Sequence, residues 1–383
     1  MPEFCKNLKI INKLTTIKEL NRPKILISPL DWGLGHATRI IPIVNYLLQL
    51  QCQIWIASSG QTEKVLKETF PGIHFLHLDG YKISYQGRSG SFSLKMAIQI
   101  PKILRAVLSE NKWLKKNQAI YHWDVVISDN RYGLYHKEPR SVFITHQVNI
   151  KTGMGVWVDK LIGRLNHFFL SKFDECWIPD TGGKINLAGE LSHGDIPENA
   201  VYIGPLSRFS MNTDKTPGLL LAILSGPEPQ RSILEKILEK QLTAYPGKVC
   251  IVRGKPGKNK KPADSANIQW FNHLPAKDLQ ALMSAAELVI CRSGYTTVMD
   301  LVKMHKKAIL VPTPGQPEQE YLAAYLTDQQ FFTSASQDDL DLQSELQKAA
   351  AFMFRIPLLS FDLHQEVISR FLAETGSIQK QLK

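Results

Sequence analysis

The chain alternates short apolar runs with longer stretches whose apolar residues recur at helical spacing. In the first half, the apolar runs cover residues 24–30, 53–58, 73–78, 124–129, 141–146, 175–179 and 201–204. Most of them are rich in β-branched residues and end at Gly, Pro, Asp or Asn, as buried parallel strands do. Helix-length stretches lie between them, among them 38–50, 92–115 and 156–173. The alternation predicts βαβ units and a parallel sheet.

A polar stretch at 211–217 interrupts this pattern, and a second alternation follows it. Its apolar runs cover residues 219–226, 248–254, 268–273, 287–291, 307–311 and 331–334. The two alternations predict two doubly wound α/β domains of similar size. In such an arrangement, ligands bind in the cleft between the domains. The predicted units are an N-terminal extension, two Rossmann-like domains and a C-terminal helix that could pack back on the first domain. Their bounds are 1–21, 22–208, 209–355 and 356–383.

Composition narrows the class of protein. Hydrophobic residues make up 44% and charged residues 21% of the 383 positions, which excludes a disordered or fibrous chain. The net charge of +11 favours anionic partners. Apolar runs are too short to span a bilayer, and charged residues interrupt any N-terminal secretory signal. The five widely spaced cysteines argue against a disulfide framework and a structural zinc site. We therefore predict a cytoplasmic protein.

The first candidate loop follows the first predicted strand and opens the first helix, at Gly33-Leu34-Gly35-His36. Glycines allow the backbone to approach a ligand closely, and free amides at a helix start attract phosphate or developing negative charge. His36 at such a position, facing the cleft, is suited to accept a proton. A tight turn with a histidine in the first helical turn explains the same residues without a ligand, so both interpretations stay open.

The second candidate loop has the same order of strand, glycine and helix. Its residues are Ser293, Gly294, Tyr295, Thr296, Thr297 and, one turn later, Asp300. Small hydroxyl residues and exposed amides at a helix start form an anion cradle, and a carboxylate one turn later could accept hydrogen bonds from a ribose diol. The Thr-x-x-Asp spacing equally fits a capping box, which needs no ligand.

A third loop turns into a helix that begins with Glu318, Gln319 and Glu320. Such side chains at the mouth of a parallel sheet could bind sugar hydroxyls. Alternatively, Glu318 and Glu320 could simply complement the helix dipole.

One apparent metal motif is set aside. Asp339-Leu340-Asp341 matches the D-x-D of metal-dependent transferases, but it lies in what we predict to be an acidic first helical turn capped by Ser336. We expect no metal there.

Taken in order, these loops resemble glycosyltransferase family 28, which includes the MurG-type N-acetylglucosaminyltransferases and the monogalactosyldiacylglycerol synthases. The resemblance spans most of residues 24–330. Its motifs are Gly33-x-Gly35-His36, Gly204-Pro-Leu-Ser-Arg208, Arg-Ser-Gly-x-x-Thr-x-x-acid at 292–300, Val311-Pro312 and Gln319-Glu320. The resemblance implies a GT-B fold, in which two Rossmann-like domains face each other and the C-terminal one holds most of the donor nucleotide.

The resemblance also implies where the nucleotide would bind. Asp300 stands where the family usually has a longer Glu and would hold the ribose hydroxyls. Residues 294–297 would cradle the diphosphate, and Arg208 matches an inter-domain arginine near it. Phe271-Asn272-His273 occupies the place where main chain usually contacts the base.

Gln319 and Glu320 correspond to the sugar-contacting pair of the family. The implied activity is inverting transfer of a hexosyl or N-acetylhexosaminyl unit from a nucleotide sugar, with a UDP-sugar favoured, to an acceptor hydroxyl. We expect neither a metal nor another cofactor. The acceptor could be lipid-linked, which would place the protein at the inner face of a membrane.

An inverting transfer needs a base, and His36 is the candidate. Asp129 ends another strand and could orient His36 by accepting from its second ring nitrogen, although a strand-end turn cap explains Asp129 slightly better. His146 ends the next strand and is a competing candidate.

Membrane contact has two candidate surfaces. One is an apolar stripe on the predicted helix 156–173, with Lys160, Arg164 and Lys172 nearby. The stripe residues are Trp157, Leu161, Ile162, Leu165, Phe168 and Phe169. A basic amphipathic helix can lie on an anionic membrane, but such a stripe is more often the core face of a helix on a sheet. The other surface is the basic, apolar segment 80–116.

Two other functions stay open at this point. The GT-B fold is shared with UDP-N-acetylglucosamine 2-epimerases, and a non-catalytic sugar-nucleotide-binding protein would carry similar loops. Nucleic-acid binding is disfavoured, because the basic run 253–261 has no interleaved aromatic platform or known binding motif.

Overall fold

A computed structural model describes residues 22–81, 92–211, 218–255 and 260–381. The predicted N-terminal extension, most of the linker 211–217, and parts of the segments 80–116 and 253–261 lie outside the described residues. Within the described residues, every strand pairing is parallel, and the strands form one sheet in each half of the chain.

The first sheet has seven described strands in the order β3-β2-β1-β4-β5-β6-β7. They are β1 (Lys24–Pro29), β2 (Gln53–Ser58), β3 (His74–His77), β4 (Val125–Asp129), β5 (Arg140–Ile144), β6 (Glu175–Ile178) and β7 (Ala200–Tyr202). Its helices are α1 (Leu34–Arg39), α2 (Ile41–Gln49), α3 (Gly60–Thr69), α4 (Phe92–Tyr121) and α5 (Val156–Leu170). The sheet confirms the predicted doubly wound architecture of this half.

The second sheet has six described strands in the order β10-β9-β8-β11-β12-β13. They are β8 (Leu220–Ile223), β9 (Val249–Val252), β10 (Ile268–Phe271), β11 (Leu288–Cys291), β12 (Ala308–Leu310) and β13 (Thr333–Ser334). Its helices are α6 (Gln230–Leu242), α7 (Ala276–Ala285), α8 (Tyr295–Lys303), α9 (Pro317–Asp328) and α10 (Leu342–Ala351). Counted within its own domain, this is the strand order 3-2-1-4-5-6 of a Rossmann sheet.

Both faces of each sheet are covered, which explains why the strands are short continuous apolar runs. In β1, Ile25 and Ile27 are buried on one face with the residues of α2. Leu26 points to the other face and joins a separate cluster with Trp123 and Leu114. Because successive strand residues point to opposite faces, helices on both sides are needed to remove these side chains from water.

The predicted helix 38–50 is in fact two helices, α1 and α2, which meet at Ile40. Pro42 lies in the first turn of α2. Proline has no amide hydrogen and its ring collides with the carbonyl of a preceding helical turn, so a continuous helix is unfavourable there. The break leaves α1 as a short helix that carries His36 and Arg39.

The last helix, α11 (Leu363–Gln381), begins later than the predicted C-terminal unit 356–383 and lies against the first domain. The Phe371 ring meets the Trp177 ring edge to face at 5.6 Å. Arg370 Nη2 donates to Glu175 Oε2 at 2.9 Å, and Tyr46 shares a 2.6 Å hydrogen bond with Ser369. The chain therefore crosses from the second domain back to the first.

The predicted Ser336 cap is wrong. The N-cap of α10 is Asp341, whose side chain accepts a hydrogen bond from the Ser344 amide, because the helix begins only at Leu342. Ser336 instead accepts from the amide of Asp338 in the preceding turn.

Truncation of Phe371 tests the contribution of the returning helix. The Phe371 side chain is 1% exposed, so Phe371→Ala should lower the free energy of unfolding by about 3–5 kcal/mol through lost burial and a cavity. The control is Leu358→Ala, because Leu358 is 80% exposed. Chemical denaturation followed by tryptophan fluorescence measures both, and equal stabilities would contradict the docking of α11.

Candidate active site

The candidate site lies where the strand order of the first sheet reverses. Strands β1 and β4 are neighbours, with Pro29 opposite Asp129 at their carboxyl ends. Connections from the two strands run in opposite directions, so a crevice opens between them, and ligands of doubly wound sheets bind in this crevice. Gly33 has a φ of 79° and is the N-cap of α1, which brings His36 over the end of β4.

His36 and Asp129 are hydrogen-bonded, although they are far apart in sequence. His36 Nδ1 lies 3.2 Å from both carboxylate oxygens of Asp129. No hydrogen bond of His36 Nε2 occurs among the described residues. The geometry matches a base whose outer nitrogen is free and whose inner nitrogen is held by a carboxylate.

Arg39 also holds Asp129. Arg39 lies one turn after His36 on α1, is 2% exposed, and donates from Nε and Nη2 to the Asp129 carboxylate. Burial by itself would raise the pKa of Asp129, but the charge of Arg39 and the hydrogen bonds from His36 and Arg39 outweigh it and lower the pKa to about 2. Asp129 is therefore a carboxylate at neutral pH and accepts hydrogen bonds only.

The structure places His146 beside this pair and in contact with the second domain. His146 Nδ1 lies 3.2 Å from Arg39 Nη1, and His146 Nε2 lies 2.7 Å from Glu318 Oε1. Its ring stacks on Tyr295 with ring centroids 4.1 Å apart. Burial lowers the pKa of His146, against the effect of Glu318. His146 is therefore a neutral imidazole that joins the two domains.

The two predicted helix starts meet directly. Thr296 Oγ1, in the first turn of α8, donates to the carbonyl oxygen of Gly35 at 3.4 Å. A Cβ at position 35 would lie 3.2 Å from Thr296 Oγ1, so a larger residue there would require this contact to shift. Tyr295 also crosses the gap, since its hydroxyl donates to the Pro179 carbonyl at 2.9 Å. The Tyr295 side chain thus joins the two domains.

Among the described residues, no hydrogen bond reaches the first amides of α8. Gly294 is the N-cap of α8 and Thr297 lies inside the helix, so the capping-box interpretation of Thr297 and Asp300 is wrong. The first amides of a helix have no partner within it, and they are available to an anion. Thr297 is half-buried beside them.

The sugar-contacting pair predicted from the resemblance lies next to this helix start. Ser293 Oγ donates to the Gln319 carbonyl at 2.7 Å and so ties the start of α8 to the start of α9. The Gln319 side chain accepts from the Thr313 amide, and Glu320 accepts from the Gly315 amide at 2.8 Å. Both side chains therefore shape the loop that precedes α9.

The predicted nucleotide contacts form a second polar group. Asp300 is buried and accepts from Ser207 Oγ at 2.5 Å. Burial raises its pKa to about 6, against the effects of Arg208 and Ser207. Arg208 Nε is buried and has no hydrogen-bond partner among the described residues. Burial, and then the charge of Arg208, lower the pKa of His273, so the three residues share one environment. Phe271 ends β10 two residues before His273.

The apolar stripe of α5 is not a core face, and this prediction is wrong for most of its residues. Trp157 is 87% and Leu161 66% exposed, and Leu165 and Phe168 are exposed as well. The inward face carries Asn166, which donates to the Gln147 and Val148 carbonyls at 3.1 and 2.9 Å. The buried Asn166 amide fixes the orientation of α5, and the apolar side of α5 faces solvent.

The sequence analysis missed Arg39 as a site residue, and it missed the pairing of Glu318 with His146. Arg39 could have been found, because a charged residue between Ala37 and Ile40 on a buried helix interrupts an apolar pattern. The pairing of Glu318 with His146 could not, because the two residues lie in different domains.

Neither a metal cluster nor a membrane-spanning helix occurs in the described part of the chain. No group of three or more His, Cys, Asp or Glu residues there could hold a metal ion. None of the helices in that part is both long and apolar enough to cross a bilayer.

The chain is similar in sequence to known glycosyltransferases. Residues 221–356 match the glycosyltransferase family 28 C-terminal domain. The UDP-N-acetylglucosamine–N-acetylmuramyl-(pentapeptide) pyrophosphoryl-undecaprenol N-acetylglucosamine transferase of Haemophilus ducreyi is 26% identical over 325 residues, which is 80% of this chain and 82% of that protein.

Solved structures share the fold. A glycotransferase of kitacinnamycin has a TM-score of 0.60 at 13% identity and covers 95% of this chain and 100% of its own. Acinetobacter baumannii MurG has a TM-score of 0.52 at 15% identity, with 92% and 99% covered. The predicted GT-B fold is confirmed.

Replacement of Asp129 by asparagine tests the buried charge pair. At pH 7, Asp129→Asn should lower the free energy of unfolding by about 3 kcal/mol, because Arg39 loses its counter-charge. The pKa of Asp129 in the folded state is about 2, below its ordinary value of 3.8. Its contribution is therefore complete above pH 4 and is lost as the pH falls toward 2.

Urea unfolding at pH 7 and pH 3 measures this difference, which should shrink at the lower pH. Asp339→Asn is the matched control, since Asp339 is exposed. An Asp129→Asn protein as stable as the control at pH 7 would refute the charge pair.

Proposed function

Because the chain is a glycosyltransferase of the GT-B fold with a family 28 C-terminal domain, we propose that it moves a hexosyl or N-acetylhexosaminyl unit from a nucleotide sugar to an acceptor hydroxyl. The observation that carries the proposal is the His36–Asp129 hydrogen bond, in the crevice where Gly35 meets Thr296 of the donor domain. This hydrogen bond holds His36 in place as a base, next to a helix start that attracts phosphate.

The reaction is a single displacement with inversion. His36 Nε2 takes the proton of the acceptor hydroxyl while the acceptor oxygen bonds to the anomeric carbon. The bond from that carbon to the donor phosphate breaks on the opposite side, through a transition state with oxocarbenium character. Asp129 stabilises the imidazolium that forms, as a carboxylate beside a catalytic histidine does.

The leaving diphosphate gains negative charge, and the free amides at the start of α8 together with Arg208 stabilise it. Arg208 Nε has no hydrogen-bond partner among the described residues, which supports this role. No step requires a metal, because amides and a guanidinium supply the positive potential. Asp300 accepts hydrogen bonds from the ribose, and Gln319 and Glu320 face the sugar.

A UDP-sugar is the favoured donor, since the Haemophilus relative is named for UDP-N-acetylglucosamine. Two structural relatives are described with thymidine diphosphate bound, so the base is tested with UDP, GDP and dTDP sugars. Relatives named as transferases support transfer over epimerisation.

The acceptor is lipid-linked in this proposal, and α5 is the surface that meets the membrane. The named relative acts on a pyrophosphoryl-undecaprenol substrate. The exposed side of α5 presents apolar residues with Lys160 and Arg164, a composition that suits an anionic lipid surface. Asn166 ties this helix to Gln147, the residue after His146, so a lipid bound there lies close to the base.

Loss of His36 tests the base. His36→Ala should reduce the transfer rate by about 10²–10⁴ while the affinity for the nucleotide changes by no more than a few-fold. Transfer is measured with radiolabelled donor, and affinity by calorimetry. His74→Ala, on the edge strand β3, is the control. Near-normal turnover in His36→Ala would reject the role.

Loss of the stripe tests membrane contact. Trp157→Gln with Leu161→Gln should weaken co-sedimentation with phosphatidylglycerol vesicles more than about tenfold, since each large side chain gains about 1.5–3 kcal/mol on burial. The control is Leu358→Gln, which removes an equally exposed apolar residue elsewhere. Equal binding of both variants, or no binding by the wild type, would remove α5 as the membrane surface.

A further inference from the structure

The buried guanidinium of Arg39 is surrounded by polar groups whose donors and acceptors can all be paired in only one arrangement of hydrogens. Its neighbours are Asp129, Asn130, His146 and His36. Arginine offers five N–H donors and no acceptor, whereas each neutral imidazole offers one donor and one acceptor. Counting the hydrogens on the nitrogens of Arg39 therefore shows which ring nitrogen of His36 and of His146 carries a proton.

The two hydrogens of Arg39 Nη2 are both used. One goes to the Asp129 carboxylate. The other goes to Asn130 Oδ1 at 3.0 Å when the Asn130 amide takes the orientation that satisfies both of its polar atoms, with Nδ2 donating to Ile144 O at 3.3 Å and to Thr145 Oγ1 at 3.0 Å. His36 Nδ1 lies 3.0 Å from the same Nη2 but finds no hydrogen left there. It must carry its own hydrogen and donate it to Asp129.

The consequence is a defined tautomer for each histidine. His36 holds its proton on Nδ1, so Nε2 has a free lone pair. His146 is arranged the other way, because Arg39 Nη1 donates to its Nδ1 and leaves Nε2–H to donate to Glu318 at 2.7 Å. Glu318 lies at the start of α9 in the donor domain, next to Gln319.

We propose that Arg39 is a positioning residue, which together with Asn130 fixes His36 in its proton-accepting tautomer and links it through His146 to Glu318 of the donor domain. The base is then complete only when α9 is seated against the first domain. The proposal rests on the proposed function for its kinetic effect, but the tautomer itself is a property of the free protein.

Asn130 provides a clean test, because its backbone has a φ of 57°, a left-handed conformation that glycine adopts without strain. Asn130→Gly removes the oxygen that occupies Arg39 Nη2 and frees a hydrogen for His36 Nδ1. That hydrogen bond favours the opposite tautomer, in which Nε2 is protonated and cannot act as a base. Asn130→Asp is the comparison, since it keeps an acceptor for Arg39 but loses the donor to Ile144 O and Thr145 Oγ1 and so separates the two roles of the amide.

Nitrogen-15 NMR of ring-labelled histidine reports the tautomer without any substrate. His36 is assigned as the signal missing in His36→Gln. We expect the Nδ1–H form in the wild type and in Asn130→Asp, and a large share of the Nε2–H form in Asn130→Gly. A purely structural role for Asn130 would leave the signals unchanged. An Nε2–H form in the wild type overturns the proposal and needs no variant to fold.

Kinetics provide the second measurement. Asn130→Gly should lower kcat at least tenfold with nucleotide affinity unchanged; a histidine locked in the wrong tautomer loses about 10⁴ in kcat in the serine proteases. Glu318→Ala should lower kcat several-fold with the same affinity, and an unchanged kcat contradicts the inter-domain link. If the tautomers are as expected but His36→Ala retains transfer, the proposed function fails while the tautomer assignment stands.

Discussion

The ion pair between Arg39 and Asp129 is the interaction on which the site depends. Both groups are buried at the end of β4, and an isolated charge in that position is strongly unfavourable. Each is acceptable only because the other is there and the remaining donors find acceptors. The pair therefore fixes the distance between α1 and β4, and with it the position of His36. The position of the His36 imidazole thus depends on the mutual neutralisation of the Arg39 and Asp129 charges.

Contacts across the domain boundary extend this constraint to the donor domain. Gly35 allows Thr296 to approach, Tyr295 reaches across to Pro179, and His146 binds Glu318. All three come from helix starts or strand ends at the facing edges of the two sheets. The same edges are where doubly wound folds bind ligands, so the elements that join the domains are also those that would hold a nucleotide sugar.

Neighbouring groups compensate for burial to different extents at Asp129, Asp300 and Arg208. Burial raises the pKa of Asp129, but the charge of Arg39 and the hydrogen bonds from His36 and Arg39 outweigh it and lower the pKa. The pKa of Asp300 is raised by burial, since Arg208 compensates only in part. Arg208 itself retains an unpartnered buried donor among the described residues. A negatively charged nucleotide would satisfy that donor, which is the electrostatic reason for placing the diphosphate there and not beside Asp129.

The sequence by itself determined the two parallel sheets, most strand positions and the loops that carry the chemistry, because buried strands and helix starts leave local signatures. It suggested His36 with Asp129, since both follow strands that meet at one edge. Only the tertiary structure decided the partners of Arg39, the pairing of His146 with Glu318 and the outward side of α5. Each of these depends on residues distant in sequence. An apolar helical stripe has the same spacing whether it faces a core or water. In α5, the hydrogen bonds of Asn166 to the Gln147 and Val148 carbonyls decide which side faces inward.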